Sequence, residues 1–178
     1  MNKIKRIQTP LNKKNISGLK AGDRVLLSGI IYTARDQAHL ELSDMIKKKK
    51  KLPIDLRDQI IFYCGPTPSG KRVIGACGPT TSSRMDSFTG KLLRAGLRGM
   101  IGKGRRSEEV LKEIKKRSAV YFLAPAGAGA FLSNCVESCK LVAFRELGPE
   151  AMYRLRVKEF PLIVGIDSKG RDVYSSFR

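Results

Sequence analysis

An α/β or mixed layered domain is what this sequence predicts, on three observations. Short runs of β-branched and aromatic residues alternate with segments whose apolar residues recur at helical spacing, the pattern of strands and helices layered together. The 178 residues are 42% apolar and 29% charged, enough to bury a core and too apolar for a disordered chain. No low-complexity linker divides them, so residues 1–178 read as a single domain.

The elements follow in order. Residues 1–19 look extended and polar, with Pro10 and little periodicity. Val25 to Tyr32 reads as a strand introduced by the turn residues Gly22 and Asp23. Ala38, Leu42, Met45 and Ile46 then recur at helical spacing, predicting a helix from about Asp36 to Lys49. Its end carries the five-lysine run Lys47 to Lys51, which suits a solvated C-terminus where cations complement the helix dipole. Ile60 to Tyr63 and Val73 to Ala76 read as short buried strands, joined by a loop from Cys64 to Arg72. Phe88, Leu92, Leu93 and Leu97 outline a helix that Gly90 and Gly96 weaken. Met100-Ile101 is a short strand. Ser107 is placed to cap a helix with Glu108 and Glu109 in its first turn and Lys115, Lys116 and Arg117 in its last. Val120 to Leu123 is a further strand, and the Gly/Ala turn Ala126 to Ala130 opens another helix. Leu141 to Ala143 and Leu162 to Ile166 complete the strands, and Asp167 to Gly170 is a turn.

The composition limits the function classes. No apolar run approaches the roughly 20 residues that cross a bilayer, and no apolar region follows the basic start Met1 to Arg6, so the cytoplasm is the expected location. Cys64, Cys77, Cys135 and Cys139 are too few and irregular for a disulfide framework. Cys135 and Cys139 are four apart, one helical turn, yet no second Cys/His pair stands near them and His39 is the sole histidine. Small buried or half-buried thiols are the expected reading. The formal net charge of +19 calls for an anionic partner or substrate without choosing among nucleic acid, an acidic chain or a small anion.

Three strand ends carry the candidate chemistry. Gly65 to Arg72 nearly fits a P-loop, but Arg72 stands where Ser or Thr must hold magnesium, and Pro66 and Pro68 lack the N–H groups that cradle phosphate. The loop Gly78-Pro79-Thr80-Thr81-Ser82-Ser83-Arg84 gathers four hydroxyls and a guanidinium fork before a helix. Composition leaves it open between an anion site and an ordinary helix cap. Arg35, after Thr33 and Ala34 and beside Asp36 and His39, is either a second carboxylate grip or a surface arginine paired with an acid. Gly102-Lys103-Gly104 is a plain turn or a place where backbone approaches a ligand closely. Cations at three strand ends describe an anion pocket better than a nucleic-acid surface, because aromatics are only 7% and there is no Trp.

These stretches resemble one family. Thr33 to His39, Gly78 to Asp86, Ile101 to Gly104 and Phe160-Pro161, with Gly127 to Ala130 and Leu147 to Glu150, are similar to the β subunit or C-terminal domain of class I iron–sulfur fumarate hydratases and L-tartrate dehydratases. The similarity runs from about Thr9 to the end. It departs at Ser82-Ser83, where the family often has Ala or Gly, a small change for the loop. The resemblance implies a swivelling β/β/α layered single domain with a mixed sheet, closing over a site shared with an α subunit in an α2β2 or similar assembly. It implies a 4Fe-4S cluster bound by that α subunit and not by this chain, with an open iron acting as Lewis acid. By position, Thr80 is the proton-transfer residue, Arg35, Arg84, Lys103 and Thr81 bind the substrate, and His39 and Asp36 are possible supporting residues.

The expected function is therefore that of a hydro-lyase β subunit interconverting fumarate and malate. L-tartrate dehydration is the close alternative, since the two substrates differ by a hydroxyl that these motifs do not visibly read. A basic nucleic-acid-binding module is the alternative of another class, one that steep loss of DNA binding with salt would favour.

Overall fold

Residues 4–177 are described by a computed structural model, so Met1, Asn2 and Lys3 of the basic start lie outside it. Seven strands form one mixed sheet: β1 (Lys5–Gln8), β2 (Arg24–Thr33), β3 (Ile60–Phe62), β4 (Gly99–Gly102), β5 (Val120–Leu123), β6 (Val136–Ala143) and β7 (Met152–Ile166). Their order is β1-β2-β3-β4-β5-β7-β6, and a second pairing of β2 with β7 closes β2, β3, β4, β5 and β7 into a ring. β1 to β5 pair in parallel and β7 runs antiparallel to β2, β5 and β6. β2 and β7 slip register opposite Ser28, where the Glu159 N–H donates to Ser28 Oγ at 3.0 Å and Glu159 takes φ 48°. This bulge bends the long pair and lets Pro161, which has no N–H to give, sit within β7.

Alternation along the parallel strands feeds two cores. Ile60, Phe62, Ile101, Val120 and Phe122 face the ring interior with Leu27, Ile31, Leu155, Phe160 and Val164. Ile61, Tyr63, Met100 and Tyr121 point the other way, against helices α2 (Asp36–Lys47), α3 (Asp86–Arg94) and α4 (Glu108–Arg117). Both faces of β3 to β5 are thus covered, which is why those strands read as unbroken apolar runs. α2 buries Ala38 and Leu42 and leaves Leu40 in solvent. Ser107 caps α4 as its sequence predicts, accepting from Val110 N at 3.3 Å, and Lys115 to Arg117 fill the last turn before the left-handed Ser118. Lys48 and Lys49 to Lys51 lie exposed beyond α2, with Lys48 paired to Asp44 at 2.7 Å.

Four sequence expectations are corrected. Residues 1–19 are not one extended segment: β1 pairs with β2, and α1 (Lys13–Ser17) starts at Asn12, whose side chain accepts from Asn15 N. That stretch is anchored because Leu11, Ile16 and Leu19 are buried. Val73 to Ala76 form no strand; Val73 is exposed and the stretch is held by Thr67, whose N–H donates to Ala76 O and whose hydroxyl accepts from Ala76 N. The helix expected after the Ala126 to Ala130 turn is present as α5 (Gly129–Asn134), but the one-turn spacing of Cys135 and Cys139 is not, because Cys135 ends that helix and Cys139 lies on β6. β6 and β7 are also far longer than their apolar tips, because their earlier residues alternate buried with charged.

Candidate active site at the strand ends

The carboxyl ends of β2, β3 and β4 lie side by side, and the three predicted stretches leave from them. The loop after Cys77 returns alongside β3, where Thr80 N donates to Tyr63 O at 2.6 Å. It then runs parallel to the continuation of β4. Lys103 N donates to Thr80 O at 3.3 Å, Ser82 N donates to Lys103 O at 2.9 Å, and Thr81 bridges Lys103. Ser82 to Met85 wind into a 3-10 turn that carries Arg84 into α3. Thr80 is half-buried and Thr81 exposed beside Lys103. Backbone bonds, rather than side chains, thus bring Thr80, Thr81 and Lys103 together.

Arg84 meets the end of β2. Its Nε and Nη2 grip the Asp36 carboxylate at 2.9 and 2.8 Å, a two-pronged pair that leaves the Nη1 edge for another anion. Arg35 lies 3.7 Å from Asp36 and 3.5 Å from Glu150, pressed across Gly65, where any Cβ would crowd its guanidinium stem. Glu150 also accepts from Gln37 N at 2.8 Å, capping the start of α2. The two alternatives for Arg35 therefore merge, since Arg35 and Arg84 are both paired with acids that hold them at one rim, while the Gly78 to Arg84 loop is no ordinary helix cap: neither Thr81 before the 3-10 turn nor Met85 before α3 makes a side-chain capping bond. Arg35, Arg84 and Lys103 outnumber the carboxylates of Asp36 and Glu150 there, and Lys103 makes no ion pair among the described residues.

His39 is placed beneath this rim and fully buried. Its Nδ1 lies 2.8 Å from Arg35 O, which can only accept, so Nδ1 carries the proton and Nε2 is left without a partner. Burial, opposed by the Arg35 carbonyl and helped by the Arg106 charge, holds its pKa down to about 4. The folded state thus binds fewer protons than the unfolded state, whose histidine titrates near 6.5. This contribution to stability is present above pH 6.5 and is lost as pH falls from 6.5 toward 4, on the order of 3 kcal/mol. Urea midpoints at pH 7.5 and pH 5 should differ less in His39→Leu than in the parent; an equal difference would exclude His39 as the source.

Under the loop lies a layer that the sequence reading did not find. The Tyr121 hydroxyl donates to Gly104 O and accepts from the Ser82 hydroxyl, each at 2.9 Å, since the carbonyl has no proton to give. Ser82 packs so closely on Gly102 that a Cβ there would overlap its hydroxyl and crowd the Tyr63 ring. Gly102→Ala should therefore cost about 1–3 kcal/mol by overpacking, read as a lowered denaturation midpoint. Arg106 is the second missed residue, a buried guanidinium bonded to Asp86 and Thr89. The available signal was Asp86 itself, an acid within the Gly78 to Asp86 stretch that needs a cation once buried.

The thiols form no cradle for a metal cluster. Cys64 and Cys77 are free thiols facing each other in the ring core, where the facing sulfur and burial push the Cys64 thiol up, while Cys135 at the end of α5 and Cys139 on β6 are half-buried against the same core. Among the described residues no three His, Cys, Asp or Glu side chains gather as metal ligands. A groove of about 460 Å³ opens beyond Gly65, lined by Pro66, Thr67, Ile74, Pro149 and Tyr153. It is mainly apolar and contains none of the three cations, so it does not suit a dicarboxylate. No helix among the described residues is long and apolar enough to cross a membrane.

Known proteins of two kinds are similar to this chain. The chain is 42% identical over 171 residues to a Methanocaldococcus jannaschii protein provisionally named L(+)-tartrate dehydratase subunit beta, covering 92% of this chain and 88% of that one. It is 34% identical to the L(+)-tartrate dehydratase subunit beta of Escherichia coli, covering 94% and 85%. It is 36% identical to the anaerobic class I fumarate hydratase of Escherichia coli, covering 89% of this chain but only 30% of that protein. The chain thus spans about a third of the length of the class I fumarate hydratases it matches. With residues 1–177 matching the fumarase C-terminus family, the chain belongs to that family.

Proposed function

We propose that this chain is the β subunit of a hydro-lyase that reversibly hydrates fumarate to malate, binding the dicarboxylate and moving a proton while a partner α subunit carries the 4Fe-4S cluster. The observation that carries the reading is the meeting of Arg35, Arg84 and Lys103 with Thr80 and Thr81 at three adjacent parallel strand ends. A dicarboxylate needs two cationic grips with a reacting carbon between them. Arg84 on one side, its fork steadied by Asp36, and Lys103 and Arg35 on the others supply the grips. Asp36 and His39 are supporting residues, one aligning Arg84 and the other fixing the Arg35 carbonyl.

Thr80 is assigned the proton transfer at the carbon beside a carboxylate. A hydroxyl is a weak base at neutral pH, and the cations at the rim favour its charged form. The cluster, when bound, supplies a Lewis-acidic iron for the departing hydroxyl. This chain's own thiols do not fit it, so every step assigned to the chain is binding, orienting or proton transfer. Closure over the α subunit would follow from swivelling of the whole β/β/α domain, in an α2β2 or similar assembly.

Dehydration of L-tartrate is the second reading, favoured by the near full-length match to β subunits bearing that name. Co-purification with the α subunit under anaerobic conditions, followed by steady-state kinetics on both compounds, decides between them. The fumarate reading expects a kcat/KM for fumarate at least tenfold above that for L-tartrate; the reverse ratio would replace it with the tartrate reading.

A further inference from the structure

Arg106 is outside every stretch that carried the family resemblance, yet its side chain is 0% exposed beside the strand ends. Its Nε donates to Asp86 Oδ1 at 2.7 Å and its Nη2 to Thr89 Oγ1 at 2.7 Å. The guanidinium is 5.4 Å from the centre of the Tyr63 ring and 5.0 Å from that of Tyr121. Each partner relays the grip onward. The other Asp86 oxygen accepts from Ser107 N at 2.7 Å, and the Thr89 hydroxyl donates to Met85 O at 2.9 Å. Tyr121 ties Ser82 to Gly104. With Met100, whose sulfur lies 3.7 Å from Arg106 Nη1, the tied residues apart from the two tyrosine rings belong to two segments, Ser82 to Thr89 and Met100 to Ser107. The first carries Arg84 and follows Thr80; the second carries Lys103.

A buried arginine is a costly way to fill a core, since a well-packed apolar residue commonly does as well or better for stability. What an arginine adds is direction: its planar fork fixes two acceptors at set angles. We propose that Arg106 is a positioning residue that locks the Thr80–Arg84 loop to the Lys103 loop, so that Thr80, Arg84 and Lys103 keep one spacing across the substrate. The catalytic part of this proposal rests on the function proposed above; the locking of the two loops does not.

The test uses the assembled enzyme carrying Arg106→Lys, which keeps the charge and loses the fork, and separately Thr89→Val, which removes one acceptor. Amide exchange reads the lock directly at Ser82, bonded to Lys103 O, and at Lys103, bonded to Thr80 O. The Val120 amide, bonded to Arg98 O across the sheet, serves as the control. Exchange at Ser82 and Lys103 should quicken at least tenfold, with Val120 within twofold of the parent. Well below the thermal midpoint, kcat for the C4 substrate should fall at least tenfold with KM changed less than threefold in Arg106→Lys. Thr89→Val should show the same split, smaller in size, and it carries the test if Arg106→Lys fails to assemble. Unchanged exchange at Ser82 and Lys103 would overturn the proposal, and so would faster exchange with unaltered kcat, which would leave Arg106 a purely structural residue. A parent enzyme inactive on both fumarate and L-tartrate would refute the proposed function instead, and the exchange arm would still decide whether the loops are locked.

Discussion

Thr80→Val should lower kcat of the assembled enzyme by about 10²- to 10⁴-fold, the range expected when a positioned proton-transfer group is lost. Valine keeps the branched shape and removes only the hydroxyl. The tie that places residue 80, its N–H donating to Tyr63 O at 2.6 Å, runs through the backbone and survives the change. KM should move little, because Arg35, Arg84 and Lys103 retain the carboxylates. Thr80→Ser, which restores a hydroxyl at the same position, should recover most of the loss. Steady-state kinetics on the pair of variants separates the chemistry from the packing: equal impairment of serine and valine forms would assign Thr80 a packing role, and a near-normal valine form would remove it from the mechanism.

Arg84→Ala should reduce kcat/KM by about 10²- to 10³-fold, the loss typical of one preorganised donor aimed at developing charge. Its effect on the fold should be small. The Arg84 side chain is 51% exposed, and an ion pair so placed contributes about 1 kcal/mol or less. Asp36, released from Arg84, still has Arg35 at 3.7 Å. A circular dichroism melt within a few degrees of the parent, together with the kinetic loss, is the expected result. Near-normal turnover would refute the grip assigned to Arg84. Arg84→Lys should be little better than alanine, since a single ammonium cannot hold Asp36 and a substrate carboxylate in one plane.

The parallel half of the sheet was legible in the sequence because both faces of β3, β4 and β5 are covered, so Ile60 to Phe62 and Val120 to Leu123 stand out as apolar runs. The antiparallel half was not. In β7 the stretch Leu155, Arg156, Val157, Lys158 alternates buried and exposed, and a search for continuous apolar runs finds only its tip at Leu162 to Ile166. Val73 to Ala76 misled in the opposite sense, since Val73 and Ile74 have β-type side chains but follow an excursion held by Thr67. The ring closure between β2 and β7 joins residues more than a hundred apart and leaves no local trace.

At the site, the cationic residues were visible because their types and strand-end positions are local. The company they keep was not. Asp36 facing Arg84, Glu150 facing Arg35, and Arg106 locked between two tyrosines all depend on tertiary placement. His39 illustrates the gap most clearly. Its position beside Arg35 suggested a supporting role, but only its burial and the Nδ1 contact to Arg35 O reveal that it is held neutral.

The central claim, that this chain is the dicarboxylate-gripping half of a split hydro-lyase, is tested most directly by titrating the purified chain into its separately purified, anaerobic partner and following the ultraviolet absorbance of the fumarate double bond. No hydration is expected from this chain alone, and activity should rise with added chain to a plateau at equal amounts of the two subunits. Robust hydration by this chain alone, or partner activity indifferent to its addition, would contradict the claim.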